Sequence, residues 1–307
     1  MSSSNAQWML KDSLIAILVV VLWGFNFVPI KVTLQYLTPF ELGTVRFLFA
    51  VIPMCFFMAL PKVRWRWLLM SGLLQGFGQF SLMFVSIEVG MTAALASVLA
   101  QTQIYFTAFG SFLIFRSRPS VLLWVSMGTA AIGLLFYGYS AVSTGGEVTI
   151  LGIILMLGAA AMWSGANMVA RVVAKESQNY NPLGYIVWSS LPAAVCFMIV
   201  VAITSPDASK WLVWQTYQEI TPILWMSFMY LGWASTIVAY GLWTQLLKRH
   251  DANKVAPFSL GVPITGMFAG IWILGEAVDK WQWIGTAFIG LSLLIVMFAP
   301  KWFKKWA

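Results

Sequence analysis

The chain has 307 residues, of which 60% are hydrophobic and only 9% are charged, and its formal net charge is +8. A soluble domain is about 45–50% apolar and about 25% charged, so this composition excludes a water-soluble globule. The 17 tryptophans and 22 phenylalanines exclude a disordered chain, which would be poor in aromatic residues. The composition therefore predicts a membrane protein, whose basic residues indicate orientation in the bilayer and not nucleic-acid binding.

Low-charge runs long enough to cross a bilayer as helices recur ten times along the chain. A hydrocarbon core of about 30 Å requires about 20 helical residues. The runs are continuous and do not alternate between apolar and polar residues, so helices are favoured over a barrel. The longest loop, around residues 205–220, contains Trp211 and Trp214 and is predicted to be interfacial. In chain order, the predicted spans cover residues 13–35, 39–60, 67–87, 92–115, 120–140, 150–170, 183–204, 221–246, 254–275 and 281–299.

The distribution of lysine and arginine predicts how these spans are oriented. Fourteen of the 18 basic residues fall on one side of the predicted membrane, among them Lys11 and the group Lys62, Arg64 and Arg66. The positive-inside rule makes this side cytoplasmic. We therefore predict a multi-pass membrane protein with both termini in the cytoplasm.

Two halves of five spans each predict an inverted repeat. A duplicated unit with an odd number of spans enters the membrane the second time from the opposite side, and the basic loops change sides as this requires. The echoes that support the duplication are Gly128-Thr129-Ala130 with Gly285-Thr286-Ala287, Trp23 and Asn26 with Trp163 and Asn167, and Pro39 with Pro182. The predicted fold is an all-α membrane protein with ten transmembrane helices, arranged as two inverted five-helix repeats at 13–140 and 150–299. Such repeats are typical of secondary transporters, whose substrate site lies near the midplane.

Several short motifs resemble those of a known family. They are Trp23-Gly24-Phe25-Asn26-Phe27 in span one, Pro39 and Arg46-Phe47 in span two, Leu274-Gly275-Glu276 after span nine, and the paired Gly-Thr-Ala segments. With these motifs the chain resembles the drug/metabolite transporter superfamily, specifically its EamA-type ten-helix exporters. Among the members it is most similar to exporters of aromatic and other neutral amino acids. It departs from the family at Arg116-Ser117-Arg118-Pro119, where members often carry a Gly-Glu pair.

The resemblance implies properties that the residues alone do not. It implies location in the bacterial plasma (inner) membrane and transport in the direction of export. It also implies a central cavity surrounded by spans one, three, four, six, eight and nine, with spans five and ten at the periphery.

The ionisable residues argue against an enzyme. All ten acidic residues lie in loops or at span ends, and the single histidine, His250, lies in a predicted cytoplasmic loop. No histidine can therefore serve an intramembrane serine, and no His, Cys and acidic cluster has the spacing of a metal site. Cys55 and Cys196 lie in apolar runs and are interpreted as small buried hydrophobic residues. We expect no catalytic residues, no metal and no cofactor.

Uncharged polar side chains recur within the spans at helical spacing, so those of one span share a face that points away from lipid. One interpretation is hydrogen bonding between helices, worth about 0.6 kcal/mol per bond on average. The other is a water-filled cavity whose amides and hydroxyls bind a zwitterion. On this second hypothesis, Gln79, Trp163 and Tyr240 border one cavity. The candidate substrate-binding residues are Asn26, Gln75, Gln79, Gln101, Tyr105, Trp163, Asn167, Tyr240 and Ser259.

Arg46 is unusual because it lies within a span, about 10 Å inside its predicted outer end by the helical rise. We expect its long side chain to extend to the membrane interface. A structural tie to another helix is the alternative.

Together these observations predict a secondary transporter that moves small neutral or zwitterionic metabolites, with amino acids as the expected cargo, by alternating access. Its partners would be a small-molecule substrate and the lipid bilayer, with no nucleic acid. One alternative is an exporter of lipophilic drugs or metabolites. Another is a non-transporting membrane receptor or scaffold, although the short loops leave little surface for a soluble partner.

Overall fold

A computed structural model of the chain describes residues 10–115, 121–143, 148–177, 180–249, 258–259 and 261–303. Within these ranges the chain forms ten long helical segments and no strand, which confirms the all-α prediction. Six of the segments, those that begin at residues 10, 39, 65, 150, 182 and 222, are long and apolar enough, by length and composition, to cross a membrane. The segments are α1 (Leu10–Thr33), α2 (Pro39–Phe56), α3 (Trp65–Glu88), α4 (93–115), α5 (Val121–Ser143), α6 (Ile150–Glu176), α7 (Pro182–Thr204), α8 (222–249), α9 (Gly261–Leu274) and α10 (Lys280–Phe303).

These bounds agree with the predicted spans to within a few residues at most ends. His250, the departure at 116–119 and the predicted start of span nine at 254–257 lie outside the described residues. The loop after α7 contains two short helices, Ala208–Leu212 and Trp214–Glu219.

The second helix of each repeat begins at a proline preceded by a capping residue. Thr38 Oγ1 accepts a hydrogen bond from the Glu41 amide at 3.3 Å, and the Glu41 carboxylate accepts one from the Thr38 amide at 2.9 Å. At the start of α7, the Asn181 side chain accepts from the Leu183 amide at 3.0 Å. Capping satisfies amides that have no partner within the helix, and the proline that follows lacks an amide hydrogen. Pro39 and Pro182 therefore lie at equivalent helix starts in the two repeats.

The packing of the helices repeats between the two halves. The pairs α2 with α7, α4 with α9 and α5 with α10 each join equivalent helices of the two repeats. The contact of α1 with α9 is matched by that of α6 with α4, and the contact of α1 with α8 by that of α6 with α3. Exchanging every helix with the one five positions later therefore preserves the pattern. Because five crossings separate equivalent helices, they run in opposite directions, so the repeats are inverted.

The third helix of each repeat contains a π-helical stretch. It covers Gly72–Gln79 in α3 and Tyr230–Val238 in α8. In α8 the Thr236 hydroxyl donates to the carbonyl oxygen of Leu231, five residues earlier, at 2.8 Å. Such stretches are rare and frequently lie at functional sites, because the wider turn re-aims side chains and loosens the backbone ladder.

Glycines allow the helices to approach closely at the interface of the repeats. A Cβ at Gly72 or Gly76 of α3 would meet Pro192 or Ala193 of α7. A Cβ at Gly266 or Gly270 of α9 would likewise meet α4. The small residues thus bring helices of the two halves into backbone contact.

Candidate functional site

A polar cluster lies inside the bundle where α1 and α2 meet α8. The Asn26 side-chain oxygen accepts hydrogen bonds from Arg46 Nη1 at 2.8 Å and from Ser235 Oγ at 2.7 Å. All three residues are buried. Since Asn26 and Arg46 belong to the first repeat and Ser235 to the second, the cluster ties the repeats together.

Arg46 is the charged member of this cluster, with only 2% of its surface exposed. Its Nη2 donates to Ser235 Oγ at 3.4 Å, and its guanidinium carbon lies 4.1 Å from the centroid of the Phe80 ring. An amide oxygen, a hydroxyl and an aromatic face inside the bundle therefore take the place of interfacial water. The expectation that Arg46 extends to the membrane interface is wrong, and the alternative of a tie between helices is correct.

Aromatic and amide side chains from both repeats continue the cluster. Gln75 Nε2 donates to the Tyr240 hydroxyl at 2.8 Å. The Trp23 ring lies 5.0 Å from the Tyr240 ring and 5.4 Å from the Trp243 ring, and its Nε1 donates to the Ser235 carbonyl oxygen at 3.2 Å. Trp23 therefore packs between the repeats and belongs to the cluster at the same time.

A cavity of about 50 Å³ adjoins the cluster. Small-molecule sites measure about 300–1,000 Å³, so this cavity is too small for a metabolite in the conformation described. Helices α2, α3, α7 and α8 line it, which differs from the set of spans implied by the resemblance. The lining residues are Phe47, Ser71, Gln75, Gly76, Phe80, Tyr185, Ile186, Ser189, Ser190, Thr236 and Tyr240.

The structure brings Gln75 and Tyr240 into direct contact, and Ser235 and Trp23 connect them to Asn26. Gln79 lies one turn after Gln75 and is buried, and among the described residues its Oε1 has no hydrogen-bond partner. Trp163 is half-buried and packs against the main hydrophobic core. Of Gln79, Trp163 and Tyr240, which we expected to border one cavity, only Tyr240 lines the cavity just described.

The remaining predicted site residues lie elsewhere in the bundle. Tyr105 is directed to α5 and α10, because its hydroxyl pairs with Ser292 Oγ at 2.5 Å. Asn167 donates to the Gln103 side chain of α4 at 2.9 Å. Gln101 is buried in the 3₁₀ turn Ala100–Thr102 that interrupts α4, and Ser259 is half-buried shortly before α9. The structure does not join these residues to the cluster around Arg46 by any hydrogen bond that it describes.

Comparison with known proteins places this geometry in a family. A profile of the EamA-like transporter family matches residues 11–139 and 150–298. The chain belongs to the EamA-like transporter family. It is 35% identical over 294 residues to a "Probable amino-acid metabolite efflux pump" of Escherichia coli (strain K12), which covers 96% of this chain and 97% of that protein. A protein of the same description from Salmonella typhimurium is 36% identical, over 94% of this chain and 95% of that protein.

A solved structure shares the overall fold of this chain. Its TM-score with this chain is 0.63 at 17% identity, and the match covers 95% of this chain and 98% of the other. Identity at that level carries the fold alone. The profile and the relatives confirm the expected family, and the structural match agrees with the expected all-α fold.

The EamA-like bundle also opens a larger cleft of about 660 Å³ at the ends of α1, α3 and α9. Lys31, Gln35, Glu88 and Glu276 are among the residues that line it. The Glu276 carboxylate accepts hydrogen bonds from the Ala93 and Ala94 amides at 2.7 and 2.9 Å, which closes the N-terminus of α4. The carboxylate is thus part of the helix start, and the cleft leads inward beside it.

Three residues of the cluster were missed as site residues from the sequence. The sequence singles out Arg46 but predicts an interfacial side chain, while Ser235 and Phe80 carry no signal that separates them from other residues of their helices. Their roles depend on partners far along the chain, at separations of 20 and 189 residues for Arg46. The π-helical stretches of α3 and α8 mark this region of the bundle, but the periodicity of the sequence does not predict them.

Proposed function

We propose that this chain exports small zwitterionic amino-acid metabolites across the bacterial inner membrane by alternating access. The observation that carries the proposal is the polar cluster at the interface of the inverted repeats. Its hydrogen bonds run between repeats, from Ser235 to Asn26 and from Gln75 to Tyr240. Movement of one repeat against the other must break them, and a substrate can then take their place.

The relatives support the substrate class and direction. Two full-length relatives carry the description "Probable amino-acid metabolite efflux pump", and each is more than a third identical to this chain. An amide, hydroxyls and aromatic rings beside one cation suit a zwitterion with an apolar part. Gln79 Oε1, which has no hydrogen-bond partner among the described residues, would accept from an ammonium group once the cavity widens toward it.

The conformation described corresponds to a closed state in this mechanism. A cavity of about 50 Å³ must widen to admit an amino acid, and the 660 Å³ cleft provides the wider passage on one side. We assign the cleft to the outer face and both termini to the cytoplasm, because the basic loops lie at the opposite ends of the helices. The moving units are the repeats 13–140 and 150–299, and the two π-helical stretches provide bending points where they meet.

Transport by purified protein in proteoliposomes tests the proposal. Vesicles are loaded with a panel of labelled amino acids, and we expect efflux of at least one neutral member with the wild type. Tyr240→Phe removes the hydroxyl that accepts a hydrogen bond from Gln75. We expect the efflux rate to fall about tenfold, because losing one hydrogen bond to the substrate or to the gate costs about 1.4 kcal/mol. Tyr137→Phe is the matched control, since that buried hydroxyl pairs with Thr286 between α5 and α10 at 2.6 Å.

The panel also separates the proposal from its alternative. Transport of a lipophilic cation such as ethidium, without transport of any amino acid, would favour an exporter of lipophilic compounds. Equal losses in Tyr240→Phe and Tyr137→Phe would remove the cluster from the transport site.

A further inference from the structure

Arg46 is a buried cation without a buried anion to balance it. Among the described residues no carboxylate lies within 4.0 Å of its guanidinium, and the ion pairs that are described join Glu176 with Arg64 and Arg66, and Glu41 with Lys210. An unpaired charge inside a membrane protein is costly and characteristically marks a substrate or ion pathway. Its partners Asn26, Ser235 and Phe80 are neutral, so they solvate the charge but leave it uncompensated.

The acidic residue nearest along its own helix is already occupied. Glu41 lies five positions before Arg46, and its carboxylate accepts from Lys210 Nζ at 2.8 Å, from Trp211 Nε1 at 2.8 Å and from the Thr38 amide at 2.9 Å. Four donors converge on it when the Thr38 hydroxyl is included. Glu41 is therefore fixed at the end of α2 and does not serve as the counter-ion.

The guanidinium keeps unused capacity for an anion. An arginine has five N–H donors in a planar fork that matches a carboxylate. Nη1 and Nη2 each make one hydrogen bond, whereas Nε is buried with no partner among the described residues. A buried donor without an acceptor is destabilising in the closed state, and an anion that approached from the Nε side would relieve it.

The fork lies next to the cavity between the repeats. The Phe80 ring packs under the guanidinium and also lines the cavity, as does Phe47, the residue after Arg46. In α7 the position equivalent to Arg46, seven residues after the first proline, is occupied by Ser189, which lines the same cavity. Within the part of the chain that the structure describes, the site therefore has one cation, contributed by the first repeat, and this asymmetry gives a bound zwitterion a single orientation.

We propose that Arg46 binds the carboxylate group of the transported substrate and so selects amino acids over the corresponding amines and amides. This inference rests on the proposed function. When the repeats separate, the carboxylate pairs with the unused Nε and takes the place of Ser235 at Nη2, and it supplies the missing negative charge. Charge-assisted, bidentate pairing of this kind is roughly twice as strong as a neutral hydrogen bond.

Asn26→Asp provides the decisive variant. It places a carboxylate where the Asn26 oxygen now lies, 2.8 Å from Nη1, and thus gives Arg46 an internal counter-ion of the same shape. We expect an unchanged or higher melting temperature, together with a loss of at least about tenfold in transport, because the internal carboxylate competes with that of the substrate. Asn181→Asp, at the capping position of α7, adds the same charge outside the cluster and should leave both quantities unchanged.

Changing the substrate instead of the protein also tests whether Arg46 binds the substrate carboxylate. Each amino acid of the panel is compared with its carboxamide, for instance L-phenylalanine with L-phenylalaninamide, which keeps the ammonium group and loses the carboxylate. The wild type should transport the acid at least about tenfold faster, and in Arg46→Gln the ratio should fall to near one.

The outcomes separate the two proposals. If the wild type transports no amino acid, the proposed function fails and the carboxylate site fails with it. If the wild type transports amino acids and their carboxamides equally well, or if Asn26→Asp transports like the wild type, only the role of Arg46 is refuted. A parallel loss of melting temperature and transport in Asn26→Asp would assign the cluster a purely structural role, and would decide the matter even if Arg46→Gln does not fold.

Discussion

Individual side chains in this bundle stabilise the ends of helices as well as the contacts between helix faces. Glu276 follows Gly275, whose φ of +67° turns the chain back at the end of α9. The carboxylate then receives the first amides of α4 from a different repeat. An anion at a helix N-terminus satisfies unpaired amides and opposes the positive end of the helix dipole.

We predict that Glu276→Gln lowers stability. The amide retains one acceptor but loses the charge and half of the bidentate bond to Ala93 and Ala94, which costs about 1–2 kcal/mol, or roughly 1.5–3 °C in melting temperature. Thermal unfolding in detergent measures the change. Glu88→Gln is the control, since Glu88 is an exposed residue of the same cleft. Equal melting temperatures for the two variants would contradict the capping role.

The residue scale is also where prediction from sequence reached its limit. Asn26, Gln75 and Tyr240 were identifiable because polar residues at helical spacing within an apolar span must avoid lipid. The partners of Arg46 were not identifiable, since hydropathy indicates that a polar side chain avoids lipid but does not indicate which residue it will bind. The Tyr105 hydroxyl illustrates the same limit, because its partner Ser292 lies 187 residues away.

At the scale of helices, close contact between α4 and α9 depends on glycines, which have no side chain to separate the two backbones. A Cβ at Gly266 would overlap Ser97, and one at Gly270 would overlap Ala94. Small residues four apart thus form a flat strip against which the partner backbone lies. Glycines four residues apart are visible in the sequence, whereas the π-helical stretches in α3 and α8 required the structure.

Gly266→Ala should therefore destabilise the protein by about 1–3 kcal/mol, the usual cost of overpacking, despite the better helix propensity of alanine. Gly128→Ala of α5 is the matched control, because nothing lies within 4 Å of a Cβ at that position. There we expect no loss of stability. Melting temperatures of the two purified variants, compared with the wild type, measure the difference, and an equal loss in both would refute close packing as the reason for Gly266.

For the whole molecule, the odd number of spans in each half and the distribution of basic residues predicted more of the fold than any motif did. Ten spans in two halves of five require inversion, and the pairing of each helix with the one five positions later agrees with it. Motifs such as Pro39 and Pro182 located the equivalent helix starts in advance. What the sequence did not provide is the state of the central site, because the size of a cavity depends on how far the repeats have closed.

Orientation in the bilayer is the prediction that belongs to this largest scale. The loop between α2 and α3 contains Lys62 and Arg64, and Arg66 follows in the first turn of α3, whereas the loop between α7 and α8 contains only Lys210, which is paired with Glu41. Basic residues resist translocation, so the first loop should be cytoplasmic and the second external. In a background with Cys55 and Cys196 replaced, Ser209→Cys should react with an impermeant thiol reagent in intact cells. Lys62→Cys should react only after the membrane is opened, and the reverse pattern would invert the assignment of the cleft and of both termini.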